Sequence, residues 1–399
     1  MMSHFLHPPL PPPQSWYPGH MTQFSRMLPT LLTRTDVVLE LRDARLPLTS
    51  VNRNFEGALN RWRSERVQLS KHAAASSPLA SARVCERIVV FNKCDLVPEW
   101  GIKPFQKAMA EKFTDQRTIF VSWKRPKDLK ILSGLLVNIA RQHPHIPELN
   151  VLVVGMPNVG KSTLLNTLRD VGIPRPTPKA LRTSAQPGLT RALSTRLKLS
   201  EDPLVYSFDT PGVMLPFLGR GDRGAERGVK LALIAGIKEG LYDNEALAAY
   251  LLYRLNALNG SEPSYLTLLS TGTMPTDDVH EFLGLLARRL GMLQRGGVPD
   301  FPRAASWFVR WWRDQGGAAS SRRRGWGLDF EWLPDADADA SDATVQARME
   351  GCIDRFVAEE ARDEEEGGAV SATQERKRIR EEKQAKRALL AKARVRGSA

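Results

Sequence analysis

The segment Asn150 to Thr163, NVLVVGMPNVGKST, restricts the fold more than any other part of the chain. An apolar, β-branched run leads directly into G-x-x-x-x-G-K-[ST] and then into a helical apolar pattern, the strand, loop and helix context that this motif needs. Gly155 and Gly160 let backbone N–H groups turn inward around phosphate oxygens, Lys161 neutralises β- and γ-phosphates, and the Ser162 hydroxyl is a ligand for Mg²⁺. Asn158, Val159, Gly160, Lys161, Ser162 and Thr163 are therefore candidate nucleotide-binding residues. A glycine-rich turn that merely resembles a phosphate loop is the alternative, and the flanking strand and helix patterns argue against it.

Two further motifs end other apolar runs. FNKCD supplies Asn92, Lys93 and Asp95. A carboxylate accepts both N1–H and the exocyclic N2–H of guanine, whereas adenine would leave it unpaired, so Asp95 selects GTP over ATP. VSWK places Ser122 and Trp123 after the next strand, where the Ser122 hydroxyl and backbone amides can close over the base. FDTPG puts Asp209 where a carboxylate can hold Mg²⁺, directly or through water, and lets the Gly212 N–H reach the γ-phosphate. Each tetrapeptide alone is an ordinary polar loop or turn; their combination at strand ends is specific.

Their order is unusual. A GTPase ordinarily reads phosphate loop, switch threonine, D-x-x-G, N-K-x-D and base-closing loop, while here the last two come first, so the sheet is circularly permuted. Surface termini that can be rejoined make this tolerable. The permutation also makes the segment after Gly212 run directly into the C-terminal part of the chain, so that nucleotide state can move that part.

The C-terminal part is helical. DVVLELRD, RIVVFN, RTIFVS, NVLVVG and LVYSFD read as strands, with helical patterns separating RIVVFN, RTIFVS and NVLVVG, which predicts an α/β, doubly wound, mostly parallel sheet. From about Gly224 only helical spacing remains, through KLALIAGIKEG, EALAAYLLYRLN, VHEFLGLLARRLG and PRAASWFVRWWRD. The expected organisation is a flexible N-terminus over 1–15, a permuted P-loop GTPase domain over 16–222 with an alanine- and serine-rich insertion at about 60–82, a smaller all-α domain over 223–333, and a charged tail over 334–399, disordered or a solvated helix.

The 399 residues and 42% hydrophobic content allow a sizeable core, and the formal charge of +13 favours a polyanionic partner, nucleic acid or an anionic membrane surface. No apolar stretch approaches the ~18 residues of a spanning helix, so no transmembrane segment is expected. Cys85, Cys94 and Cys352 are too scattered for a disulfide framework or a zinc site. MMSHFLHPPLPPPQ is a poor match to a secretory signal and a weak one to a mitochondrial presequence.

Taken with WYPGHM, DVVLELRDARLPLTSVN, FNKCDLV, GMPNVGKSTLLN, QPGLT, DTPGV, KLALIAGIKEG and LLYRLN, the chain from Trp16 to about Asp329 resembles the circularly permuted GTPases that assemble large ribosomal subunits, in their YlqF-type bacterial and mitochondrial branch. The resemblance implies GTP hydrolysis with Mg²⁺, and rRNA and ribosomal proteins of the large subunit as partners. It implies a mitochondrial location, in the matrix and peripheral to the inner membrane, with the nucleolus or cytoplasm as alternative. Thr190 in QPGLT then corresponds to the switch threonine that reaches Mg²⁺ when the γ-phosphate is present, a plain polar-loop threonine being the other reading. Asn158 is similar to an asparagine that helps bind K⁺ beside the phosphates, or else only shapes the loop.

Val213 stands where Ras-type GTPases carry a water-orienting glutamine. A valine cannot orient water, so intrinsic turnover should be slow. The family's proposed substitute is the histidine of W-[FY]-P-G-H-M, here His20, which makes His20, Lys161 and Thr190 the candidate catalytic residues. Capping the following helix is the alternative role for His20. Trp307, Trp311, Trp312 and Trp326 interleave with arginines as on an RNA-contacting face, although the helical spacing of Trp307 and Trp311 is more often that of core, and Arg322, Arg323 and Arg324 rank ahead of the tryptophans. A scaffold that binds GTP or GDP without significant turnover, and an RNA-binding protein with a vestigial phosphate loop, are the rival readings.

Overall fold

Six runs of extended chain form one sheet. In the computed structural model, which describes residues 7–14, 16–76, 84–173, 180–181, 196–215, 217–316, 325–332 and 341–365, these are β1 (Val37–Asp43), β2 (Glu86–Asn92), β3 (Arg117–Val121), β4 (Leu149–Gly155), β5 (Leu197–Glu201) and β6 (Leu204–Asp209), in the order β3-β2-β1-β4-β6-β5. β5 pairs antiparallel with β6, and every other pairing is parallel. The helices α1 (Gly19–Thr33), α2 (Arg53–Ser76), α3 (Ile102–Lys112), α4 (Pro126–Gln142) and α5 (Lys161–Gly172) alternate with the strands. β1 is buried at every position, as a central strand covered on both faces must be. The two faces separate along β2: Ile88 and Val90 join the core shared with α1, α4 and α5, while Val89 and Phe91 pack with Phe105 and Met109 of α3.

Parallel pairing brings the loops that carry the motifs to one edge of the sheet. Asp43 lies beside Asn92, Asn92 beside Val121, Leu41 beside Gly155, and Val153 beside Asp209, so β1, β2, β3, β4 and β6 end within a few residues of a common line. The crevice outside the carboxyl ends of such strands is where open α/β sheets bind ligands.

Beyond Gly212 come α6 (Gly221–Leu233), α7 (Asn244–Leu258), α8 (Val279–Arg289) and α9 (Phe301–Gln315). Aspartates 243, 278 and 300 cap α7, α8 and α9 by accepting from backbone N–H groups of the first turn. The apolar core runs uninterrupted from the sheet into these helices through Leu231, Leu251, Leu255, Phe308 and Trp312.

Several elements differ from expectation. The segment expected as an insertion from residue 60 begins inside α2, where Trp62 is buried and the Arg66 guanidinium donates to the carbonyls of Thr33, Thr35 and Val84. A small hairpin, β7 (Gly325–Trp326) with β8 (Phe330–Glu331), comes after α9. Trp326 is wholly buried against Phe105, Phe120 and Phe330, and Trp312 is buried too, so neither belongs to an exposed RNA-stacking face. Part of the expected tail is α10 (Asp342–Glu365), which lays Val345, Met349 and Ile353 onto the α3 side of the sheet. Its apolar positions recur at three- and four-residue intervals, and packing rather than solvation sets its place.

Candidate nucleotide site

The phosphate loop comes after β4 and is shaped by its glycines. Gly155 has φ +148°, with its α-carbon against the Leu41 carbonyl, and Gly160 has φ +94°, where a Cβ would meet Asn92 Nδ2 at 2.5 Å. The second glycine therefore lets the base-recognition loop approach. Lys161 opens α5, and its Nζ folds back to donate to the carbonyls of Gly155 (3.1 Å) and Met156 (2.9 Å). Burial pushes this ammonium down to about 8, against the opposing pull of Asp209. Val159 is buried, whereas Thr163 lies half-buried one turn into α5, its carbonyl accepting from Thr167 Oγ1 at 2.8 Å.

Ser162 Oγ donates to Asp209 Oδ2 at 2.5 Å, and burial raises the Asp209 carboxyl, an effect that the neighbouring Lys161 and the Ser162 hydrogen bond oppose. A hydroxyl and a carboxylate oxygen at one point are the hard donors that Mg²⁺ takes, so the residues fit that ion. No cluster of three or more His, Cys, Asp or Glu side chains occurs among the described residues. After β6, Thr210 Oγ1 donates to the Val153 carbonyl at 2.6 Å, and a Cβ on Gly212 would lie 2.6 Å from Pro157 Cα, so the DTPG turn rests on the phosphate loop. Val213 is fully buried, its N–H donating to Gly155 O at 3.2 Å and its carbonyl accepting from Asn52 Nδ2 at 3.0 Å.

The base-recognition loop is fastened to the phosphate loop by its own side chains. Asn92 Nδ2 donates to Val159 O at 2.7 Å, and Lys93, in a left-handed conformation, donates from Nζ to Asn158 O at 2.9 Å and to Asp43 Oδ2 at 3.0 Å. Burial depresses the Lys93 ammonium, and Asp43 works against that. Asp95 pairs with Lys124 Nζ at 3.0 Å; burial acts to raise its carboxyl, but hydrogen bonds from Ser122 and Lys124 outweigh it and keep the group below its ordinary value. Ser122 is buried, and Trp123 is 44% exposed beside it.

His20 occupies the first turn of α1, half-buried, beside Met21, whose Sδ accepts from Met214 N–H at 3.4 Å. The start of α1 thus reaches the chain two residues past Gly212. Asn158 Nδ2 donates to Ala235 O at 2.8 Å, which ties the phosphate loop to the end of α6. Thr190, Arg322, Arg323 and Arg324 lie outside the described residues. Sequence reasoning assigned no role to Asp43, Arg45 and Asn52, which hold the site from β1 and its loop; the signal was the polar stretch DARLPLTSVN after an apolar strand.

A family described as 50S ribosome-binding GTPase matches residues 150–253. Mitochondrial GTPase 1 of Schizosaccharomyces pombe is 32% identical over 72% of this chain and 83% of its own length. Mitochondrial ribosome-associated GTPase 1 of Xenopus tropicalis is 30% identical over 75% of this chain and 90% of its own. Among solved structures, GNP-bound YlqF from T. maritima aligns with a TM-score of 0.45 at 21% identity, over 75% of this chain and 95% of that one.

Proposed function

Since the chain belongs to the circularly permuted GTPases that include the mitochondrial GTPase 1 and mitochondrial ribosome-associated GTPase 1 proteins, we propose that it hydrolyses GTP as an assembly factor for the large subunit of the mitochondrial ribosome. The observation that carries the reading is the bond between motifs: Asn92 and Lys93 of the guanine loop donate to Val159 and Asn158 of the phosphate loop. A base held at Asp95 and phosphates held at Lys161 are thereby brought within one ligand's length. The names of the relatives support the mitochondrion and a ribosome as partner. No helix among the described residues is long and apolar enough to cross a membrane, which is compatible with peripheral attachment to the inner membrane on the matrix side.

In this mechanism Asp95 accepts from the guanine N1–H and N2–H, Ser122 and Trp123 cover the base, and the amides from Asn158 to Thr163 surround the phosphates. Lys161 leaves the carbonyls it now contacts and pairs with β- and γ-oxygens, and the Gly212 N–H meets the γ-phosphate. Ser162, Asp209 and Thr190 would hold Mg²⁺, which when bound neutralises charge on the β- and γ-phosphates. K⁺ beside Asn158 would add positive charge; the Asn158 amide nitrogen is engaged with Ala235, so the side-chain oxygen is the atom that would turn to such an ion. His20, held near Met214 by α1, orients the attacking water once a ribosomal particle completes the site.

GTP turnover with and without mitochondrial large subunits, in K⁺ and then in Na⁺, tests this proposal. Stimulation of tenfold or more by the subunits in K⁺ is expected. Binding of GTP without stimulation would favour the second reading, a nucleotide-dependent scaffold, which the burial of apolar Val213 at the water-orienting position supports.

A further inference from the structure

The polar loop after β1 belongs to none of the nucleotide motifs, yet it joins the guanine loop to the helical part. Asp43 is fully buried. Its Oδ1 accepts from the Arg45 N–H (3.0 Å) and Nε (2.9 Å), and its Oδ2 accepts from Arg45 Nη2 (2.8 Å) and Lys93 Nζ (3.0 Å). The other contact of Lys93 Nζ is Asn158 O, so the ammonium sits fixed between Asp43 and the phosphate loop. A forked guanidinium on a carboxylate fixes the plane of that carboxylate, which a lone ammonium would not do.

The helical part in turn holds Arg45, which is 2% exposed. Its Nη1 donates to the Arg313 carbonyl in the last turn of α9 (3.1 Å), its guanidinium lies 4.8 Å from the centre of the Trp312 ring, and its own carbonyl accepts from Leu328 N–H at 2.8 Å. The Arg313 side chain continues the chain of contacts, donating to Leu233 O (2.7 Å) and Ala232 O (2.9 Å) at the end of α6. Beside the contact lies a cavity of about 20 Å³ lined by Arg45, Leu96, Leu255, Trp312 and Leu328. Such a space holds about one water molecule.

We infer that Arg45 and Asp43 are positioning residues that make the grip on guanine depend on the docking of α9. With α9 in place, Trp312 and the Arg313 carbonyl hold Arg45, Arg45 holds Asp43, and Asp43 holds the Lys93 ammonium where its stem lies along the base. Displacing α9 frees the guanidinium, lets the carboxylate turn, and speeds loss of GDP. A ribosomal particle that pulls on the helical part would then act on nucleotide release from the base end, independently of the phosphate switch. The inference rests on the reading of this crevice as a guanine nucleotide site.

The test measures dissociation of fluorescently labelled GDP and GTP from the full chain, chased with unlabelled nucleotide. Trp312→Leu keeps the position apolar and removes the ring from Arg45, and Arg45→Lys removes the fork. Phe282→Leu, a change in the buried core of α8 against Tyr265 and Phe308, is the control for general loosening of the helices. Dissociation about fivefold or more faster in both test variants, by the same factor for GDP and GTP, with the Phe282 variant near wild type, is the expected result. Rates unchanged in the Trp312 and Arg45 variants, or raised equally by Phe282→Leu, overturn the inference while leaving the nucleotide reading intact. A wild-type chain that holds neither nucleotide overturns both.

Discussion

Single side chains in the site are placed for a ligand at some cost to the fold. Lys161 is an example: burial lowers its ammonium to about 8, against about 10.4 in an unfolded chain, a penalty of about 3 kcal/mol at neutral pH. Between those values the unfolded chain binds more protons than the native one, so this group makes the nucleotide-free protein more stable as pH rises from about 8 toward 10. Lys161→Met removes the buried charge, so it should raise the thermal midpoint of the nucleotide-free protein while abolishing the further rise on adding GDP; a lowered midpoint would contradict the burial argument. Phosphate oxygens favour the charged lysine, hence GDP binding should take up almost no proton at pH 7 and close to one at pH 9. Calorimetry in buffers of different ionisation enthalpy reads that number directly. Asp95 allows a specificity test, because Asn in its place can donate to the 2-carbonyl of xanthine but cannot accept two guanine protons. Asp95→Asn should weaken GTP about a hundredfold or more and favour xanthosine triphosphate in competition binding.

Elements hold this site through contacts that a run of hydrophobicity does not reveal. β1 looks like a plain apolar strand for three residues, but Glu40 comes next, buried with Arg42 (2.6 Å) and Arg87 (2.6 Å), and Glu56 of α2 joins both arginines. Burial acts to raise the Glu40 carboxyl, and the two guanidinium groups outweigh it and bring it down to about 2. Its contribution to stability is therefore complete above about pH 4.5 and is lost as pH falls toward 2. Glu40→Gln leaves buried arginines short of a partner and should cost about 3–5 kcal/mol in urea denaturation; a change below about 1 kcal/mol would mean that Glu56 and water satisfy them. α10 carries the opposite lesson. Its acidic composition suggests a solvated helix, whereas Met349 is fully buried on the α3 side. Met349→Ala should destabilise the whole protein by about 2–5 kcal/mol, a loss that a solvated helix would not produce.

For the molecule as a whole, the parallel strands and the loops at their ends were legible because each is coded locally: an apolar run, then glycine, asparagine or aspartate at a fixed offset. β5 was not, since LKLSE alternates weakly and becomes a strand only by pairing with β6. Trp326 could not be placed from SRRRGWGLDF, because the aromatic cluster that buries it comes from α3, β3 and β8, two of them far away in sequence. The link between the site and the helices was legible only as chain order. In space, besides the Asp43–Arg45 contact with α9, it includes two connections to α6: the backbone from Gly212 through Val213, bonded to Gly155, and the Asn158 side chain bonded to Ala235 at the end of the same helix. A γ-phosphate that draws Gly212 inward therefore pulls on both ends of α6, while α3 packs on the other face of the sheet, against Val89 and Phe91. Amide hydrogen exchange compared between GDP and a non-hydrolysable GTP analogue should change in residues 213–235 and leave α3 as it was. Equal exchange in 213–235 under both nucleotides would mean that the permuted connection carries no signal.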